Sequence, residues 1–376
     1  MISIEQLDTT SRKQRNEFVN FHYDLYKNCP QWVPPFRADI HVMMNRKKHP
    51  FYEHSDADFF LAKRDGKVVG RIAALENKPF NQYHNKNEAQ FYLFDSIEDQ
   101  EVFDALFEAA FDWAKKRGLT SLVGPKGFSS FNGYGIQVEG FEHRQMMTMM
   151  NYNYAYYPRM MEGMGFTMAV DFVSTYIPRD SAVLPEKVTR VAERIIEKQK
   201  FKVKEFKSKK ELISWADPIG EAYNNTFVNN WEYYPLTKNE ITFAMKDIMM
   251  VAVPDLMKII TYDDVVIGFL LAFPDVSKAL QRHNGYLTPW GLVDMLLEMK
   301  RTKWVSLNGV GILPEYHGRG GNALLYYEMA KIIRESGFEH IEETQMADTA
   351  VMVRKDMITL GAEIYKKHRV YKIDIP

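Results

Sequence analysis

The chain has 376 residues, 46 % hydrophobic and 26 % charged, and a formal net charge of −1. That length allows two domains of ordinary size with ample apolar material for their cores. The balanced charge, whose densest basic run is Arg46-Lys47-Lys48, argues against a nucleic-acid partner. The single cysteine, Cys29, excludes an intrachain disulfide and fits a reducing compartment, so a cytoplasmic location is expected. The first residues, Met1-Ile2-Ser3-Ile4-Glu5, lack the layout of a signal peptide. The longest apolar run, residues 265–273, is far too short to span a bilayer, and no membrane partner is expected. The ten histidines form no HExxH and no close Cys/His set, so no metal site is expected.

Residues 4–7 alternate like a short strand, and 11–26 read as a helix that Pro30, Pro34 and Pro35 end. Strands at 59–62 and 67–75 flank Asp65-Gly66, a hairpin signal. A strand at 88–94, a helix at 102–117 stopped by Gly118, and a strand at 119–124 follow. Residues 125–150 are loop-rich; 153–164 read as a helix and 167–177 as a strand. Tyr152, Tyr154, Tyr156 and Tyr157 could line a groove, although only Arg159 stands near to support base stacking.

The order then starts again. A helix at 185–200 connects to a strand at 201–206, and 209–226 are mostly helical. Strands at 256–261 and 265–273 flank Asp263-Asp264, a second hairpin. An added helix at 288–302 precedes a strand at 304–313, a glycine-rich turn and a helix at 323–336. A strand at 338–345, a helix at 349–360 and two short strands or a ribbon over 363–375 complete the chain. Gly70 follows Ile4 by 66 residues (70 − 4), and Gly268 follows Val203 by 65 (268 − 203). Gly165 follows Gly70 by 95 (165 − 70), and Gly361 follows Gly268 by 93 (361 − 268). Matching elements at matching spacing indicate a duplicated domain.

The turn of the second copy is His317-Gly318-Arg319-Gly320-Gly321-Asn322. A strand that turns through glycines into a helix gathers free backbone N–H groups at the positive end of the helix dipole. Gly318, Gly320 and Gly321 let the backbone approach a ligand, and Arg319 adds a donor fork. Such a site suits a diphosphate; the competing reading is a glycine-rich turn without a ligand. A Walker A loop is excluded by the missing Gly-Lys-Ser/Thr. The first copy has Asp95-Ser96-Ile97-Glu98-Asp99-Gln100-Glu101 at this place, whose carboxylates would repel a phosphate. Gly124-Pro125-Lys126-Gly127 is a weaker anion-loop candidate.

The run from Gly311 to Leu325, with Pro314, Gly318 and Gly320 at its key positions, resembles the acetyl-CoA loop of the GNAT N-acetyltransferase superfamily. Trp32-Val33-Pro34-Pro35, Val69-Gly70-Arg71-Ile72-Ala73-Ala74 and Gly140-Phe141 resemble a group of bacterial putative acetyltransferases with two such domains. Two loop positions depart: His317 stands where Arg or Gln is usual, and Asn322 where Gly or Ala is usual. The resemblance implies an α/β (α+β) chain of two tandem GNAT-like domains, each a mostly antiparallel mixed twisted sheet flanked by helices. The expected division is a degenerate N-terminal domain over 1–180, a connecting helix over 181–200, and a domain over 201–376 that binds acetyl-CoA or another acyl-CoA as co-substrate. It implies that Ile312 and Leu313 offer backbone to the pantetheine arm, and that His317, Gly318, Arg319, Gly320, Gly321 and Asn322 hold the diphosphate.

The implied activity is N-acylation of a small-molecule or peptide amine. Acylation needs a base for the ammonium proton and an acid for the leaving thiolate. On the strand 338–345 the alternation of side chains favours Glu342 over Glu343 as base. The family's usual Tyr, four residues before the helix-ending Gly361, is here Met357. Tyr326, Tyr327 and Tyr365 are alternatives for that role. A CoA-binding protein without chemistry, and an aminoacyl or long-acyl transferase, remain rival readings; the sequence leaves the oligomeric state open.

Overall fold

The computed structural model describes residues 1–147, 150–198 and 201–376. The loop-rich segment 125–150 and the end of the expected helix 185–200 therefore lie partly outside the described residues. The first copy runs β1 (Ile2–Gln6), α1 (Arg12–Tyr26), α2 (Arg37–Met43), β2 (Asp56–Arg64), β3 (Lys67–Glu76), α3 (Lys78–His84), β4 (Glu88–Ser96), α4 (Gln100–Lys115), β5 (Ser121–Gly124), β6 (Ile136–Glu139), α5 (Tyr156–Gly163) and β7 (Thr167–Pro178). The helix α6 (Glu186–Glu197) leads to β8 (Lys202–Lys204), α7 (Lys209–Ser214), α8 (Ala216–Thr226), α9 (Lys238–Val251), β9 (Met257–Tyr262) and β10 (Val265–Pro274). Then come α10 (Ser277–His283), α11 (Pro289–Arg301), β11 (Trp304–Ile312), α12 (Gly321–Glu335), β12 (His340–Ala347), α13 (Val351–Thr359) and β13 (Glu363–Asp374). The stretch expected as two short strands or a ribbon at the end is the single strand β13.

The chain divides into two compact units. Unit 1 holds residues 1–173, 276–296 and 366–376; unit 2 holds 174–275 and 297–365. In unit 1 the strands β1 to β5 follow one another in the sheet, and Tyr371 to Asp374 of β13 pair antiparallel with β5. All these pairs are antiparallel except β4–β5. One face is covered by α4, whose Val102, Phe103, Leu106, Phe107, Ala110 and Ala114 recur every three or four residues and pack on Ile72, Ala74 and Phe91. Asp99 starts that helix by accepting from the Glu101 N–H. The other face buries Phe18 and Val19 of α1 with Phe59, Leu61 and Ala73.

Unit 2 repeats the plan: β8, β9, β10, β11 and β12 lie side by side, antiparallel except for β11–β12. Both hairpins turn through two left-handed residues, Asp65-Gly66 (φ 51° and 77°) and Asp263-Asp264 (φ 47° and 62°), the backbone that matches the twist of the flanking strands. The duplication extends to an irregularity. Registers slip between β3 and β4 and between β10 and β11, and the extra residue lies on β4 and β11. Leu93 (φ 47°) and Gly309 (φ 103°) sit at these bulges, each three residues before the strand's last residue (96 − 93, 312 − 309).

Candidate functional site

The parallel pair β11–β12 holds only from Trp304↔His340 to Leu307↔Glu343. Beyond it the bulge at Gly309 turns β11 aside, and residues 308–312 no longer pair with β12. This opens a cleft in the sheet of unit 2, with the glycine-rich turn at its far end. His317 Nε2 lies 2.8 Å from the Ile312 carbonyl oxygen, which ties the turn back to the strand. The Leu313 N–H donates to the Ile267 carbonyl at 2.8 Å. The side chains of Ile312 and Leu313 are buried.

Gly320 is the N-cap of α12 at φ 89°, and no side chain caps the helix. The first N–H groups of a helix have no acceptor within it, so those of α12 face outward with the dipole behind them. Gly318 (φ 71°) has open space at its Cα, and Arg319 and Asn322 are exposed. Gly320 has another reason to be glycine. A Cβ there would lie 2.6 Å from Ile195 Cδ1 and 2.8 Å from Val191 Cγ1, so α6 packs directly on the turn. At Gly321 a Cβ would meet Ile312 Cδ1 at 2.8 Å. The glycines therefore serve both backbone conformation and close packing.

Glu342 and Glu343 point to opposite faces of the sheet, as strand alternation requires. Glu342 is fully buried and accepts a hydrogen bond from Tyr365 Oη at 2.6 Å. Its face carries a polar row: Ser306 beside it on β11, then Thr344, whose Oγ1 is 2.9 Å from Ser174 Oγ. Tyr176 extends the row, with its Oη 2.8 Å from His340 Nδ1 and its ring against Tyr365. Ser174, Ser306, Glu342 and Thr344 are all buried. A buried polar row is costly unless its groups are paired, and such rows mark places built for polar chemistry.

Glu343 faces α12 and α13, where it lies near Tyr326 and Asp356. Burial, with the Asp356 carboxylate adding to it, pushes its pKa up from 4.5 to about 8. The Tyr326 hydroxyl, also buried there, has no hydrogen-bond partner among the described residues. Met357 is buried on α13 and offers no acidic proton. A raised carboxyl pKa means that the folded chain binds the proton more tightly than the unfolded one. Stability from this group is then full below pH 4.5 and declines as the pH rises toward 8. Glu343→Gln is expected to stabilise the protein by about 1–2 kcal/mol at pH 8 and to flatten that decline. Urea unfolding at pH 5 and pH 8 reads both effects; an unchanged slope in the variant would remove Glu343 as the proton-binding group.

Unit 1 is built differently at the corresponding place. Between β4 and α4 lie three residues, 97–99, whereas eight, 313–320, lie between β11 and α12. Asp99 already caps α4. The end of β4 is closed by tyrosines: the Ser96 N–H donates to Tyr157 Oη at 2.8 Å, and the Ser96 carbonyl accepts from Tyr156 Oη at 2.6 Å. Asp95 is buried between Arg71 Nε at 2.7 Å and His22 Nδ1 at 2.9 Å. These neighbours hold its pKa below the usual carboxylate range against the cost of burial, while burial lowers that of His22. Lys126 of the weaker anion-loop candidate is buried over the Phe80 ring, with Nζ 3.5 Å from Glu88. Tyr154 and Tyr156 stack on neighbouring tyrosines within unit 1. Sequence reasoning missed the Glu342–Tyr365 pair as a pair, because their spacing of 23 residues has no motif behind it. Among the described residues no group of three His, Cys, Asp or Glu could hold a metal, and no helix is long and apolar enough to cross a membrane.

No family model matches the chain. It is 25 % identical to Protein YghO of Escherichia coli, over 100 % of this chain and 97 % of that protein. It is 24 % identical to a protein of Caulobacter vibrioides named bacterial ceramide synthase, over 99 % of this chain and 97 % of that protein. Among solved structures, a tandem GNAT protein from the clavulanic acid biosynthesis pathway superposes with a TM-score of 0.56, at 11 % identity, over 100 % of this chain and 99 % of that one. A GCN5-related N-acetyltransferase from Sphaerobacter thermophilus superposes with a TM-score of 0.51, at 12 % identity, over 100 % and 96 %. With its repeated sheets, paired bulges and strand–glycine turn–helix, the chain has the tandem GNAT fold.

Proposed function

We propose that the protein is an acyl-CoA-dependent N-acyltransferase whose second copy binds the acyl-CoA and whose first copy, degenerate at the same place, does not. The observation that carries this reading is the uncapped N-terminus of α12, entered through Gly318 and Gly320 at the end of a splayed parallel strand pair. Backbone N–H groups of Gly318 to Asn322 and the Arg319 fork suit a diphosphate. Because the Leu313 N–H is held by Ile267, the backbone of residues 308–312 along the cleft is the better support for an extended pantetheine arm. The thioester supplies the activated acyl carbon. The acceptor amine must lose a proton, attack that carbon, and release the thiolate.

Tyr365, half-buried on β13, is the reachable end of the pair it forms with Glu342. In this reading it takes the ammonium proton as it passes its own to the Glu342 carboxylate, so Glu342 acts through it rather than directly. On the other face Glu343 retains a proton near neutral pH, and it is the candidate acid for the thiolate in place of the Tyr missing at Met357. The Caulobacter relative's name favours a second, narrower reading, in which the acyl chain is long and the amine belongs to an amphiphile. A turnover screen separates the two. Acetyl- and palmitoyl-CoA are each offered with pools of amino acids, peptides, small amines and long-chain amino alcohols, and free CoA is followed. Release of CoA with acetyl-CoA and small amines supports the short-acyl form, and release only with palmitoyl-CoA and long-chain amino alcohols the long-acyl form. No release above the rate without acceptor would leave the rival reading, a CoA-binding protein without chemistry.

A further inference from the structure

The helix α11 wears its apolar side outward. Trp290 is 78 % exposed, and Leu292, Val293, Leu296 and Leu297 are each 38–47 % exposed. At 100° per residue these five share one broad face of the helix. Gly291, Met295 and Glu298 form the opposite, buried face. Tyr286 and Leu287, exposed just before the helix, extend the same apolar surface, and a shallow notch lined by Phe36, Leu280, Tyr286 and Met295 adjoins it. A soluble surface normally puts such side chains inward, so a contiguous outward face marks something that covers it.

The charges say what. The two acidic residues of α11 are withdrawn from the exposed face: Asp294 is held by Arg282 at 2.8 Å and by His283 at 3.1 Å, and Glu298 is buried. The last turn carries Lys300, which is exposed, and Arg301, which lies 3.4 Å from the Glu298 carboxylate. A protein partner would be expected to meet a rim of both signs. Here the face is aromatic and aliphatic, both acids of the helix are met by basic neighbours, and Lys300 adds an exposed positive charge at its end. That composition suits the boundary between anionic headgroups and acyl chains, where Trp and Tyr rings settle and Lys and Arg meet phosphate.

We propose that α11 docks the protein on an anionic lipid bilayer, lying in the headgroup plane with Trp290, Val293 and Leu296 inserted. The expectation of no membrane partner rested on the lack of a spanning run, and a helix lying in the interface needs none. The docking stands on α11 alone and holds whichever donor and acceptor the cleft takes.

The test is co-sedimentation of the full chain with vesicles of phosphatidylcholine, alone or with about one-third phosphatidylglycerol. The wild type is expected to pellet with the anionic vesicles, less so at high salt. Trp290→Ser/Val293→Ser/Leu296→Ser, all at exposed positions, is expected to reduce that binding by more than about tenfold without changing the circular dichroism or melting temperature. A wild type that stays in the supernatant with both vesicles overturns the proposal, and so does a triple variant that pellets equally. Light scattering that finds a wild-type dimer which the triple variant dissolves, with no vesicle binding, would make this face an interface between two copies instead.

Discussion

Glu342→Gln is expected to lower kcat by about 10²–10⁴, the usual worth of a positioned base, while acyl-CoA affinity stays within about twofold. The substitution keeps the volume of the side chain and can still accept from Tyr365, so a folding loss is not expected. Tyr365→Phe is expected to lower kcat by a similar factor, because the buried carboxylate then has no route to the acceptor. The double variant discriminates between accounts. If tyrosine and glutamate act in series, the two losses do not add, and the double variant resembles the worse single one. Losses that multiply would mean separate roles. Unchanged turnover in Glu342→Gln on a confirmed acceptor would remove the pair from the mechanism and leave catalysis to proximity.

The second large effect concerns the turn. Arg319→Glu/Asn322→Asp is expected to weaken acyl-CoA binding by about a hundredfold, since it removes a donor fork and sets two carboxylates at the diphosphate. Both residues are exposed, and a carboxylate near a helix N-terminus stabilises the helix, so the melting temperature is expected to hold or rise. A change at Gly320 is a poorer probe. Any side chain there meets Ile195 and Val191 of α6 and strains a left-handed backbone, so it disturbs the turn before it touches a ligand. Equal affinity in the double variant and the wild type, measured by calorimetry, would separate the turn from the ligand.

Much of this was legible in the sequence because it is local. The hairpins at Asp65-Gly66 and Asp263-Asp264 are visible because few other residues tolerate two left-handed positions in a row. The helix α4 announces itself by its apolar period and the Gly118 that stops it, and the strand–turn–helix of β11 and α12 by its glycines. What escaped depends on chain segments far apart. The packing of α6 on Gly320 has no signal in either segment. The pairing of Tyr371 with Gly124 joins residues 247 apart (371 − 124), and nothing in either stretch names the other. Alternation separated Glu342 from Glu343, yet the Tyr365 partner of one comes from β13 and the surroundings of the other from α12 and α13. The run at 288–302 reads as a helix and forms one over Pro289–Arg301, but which side it buries is set by what it packs on.

The asymmetry between the copies is the central claim, and stoichiometry addresses it most directly. Calorimetric titration of the full chain with CoA is expected to give one site per chain, lost in Arg319→Glu/Asn322→Asp. Two equivalent sites per chain would show that the tyrosine-closed end of β4 in unit 1 also takes the nucleotide, and would contradict the account.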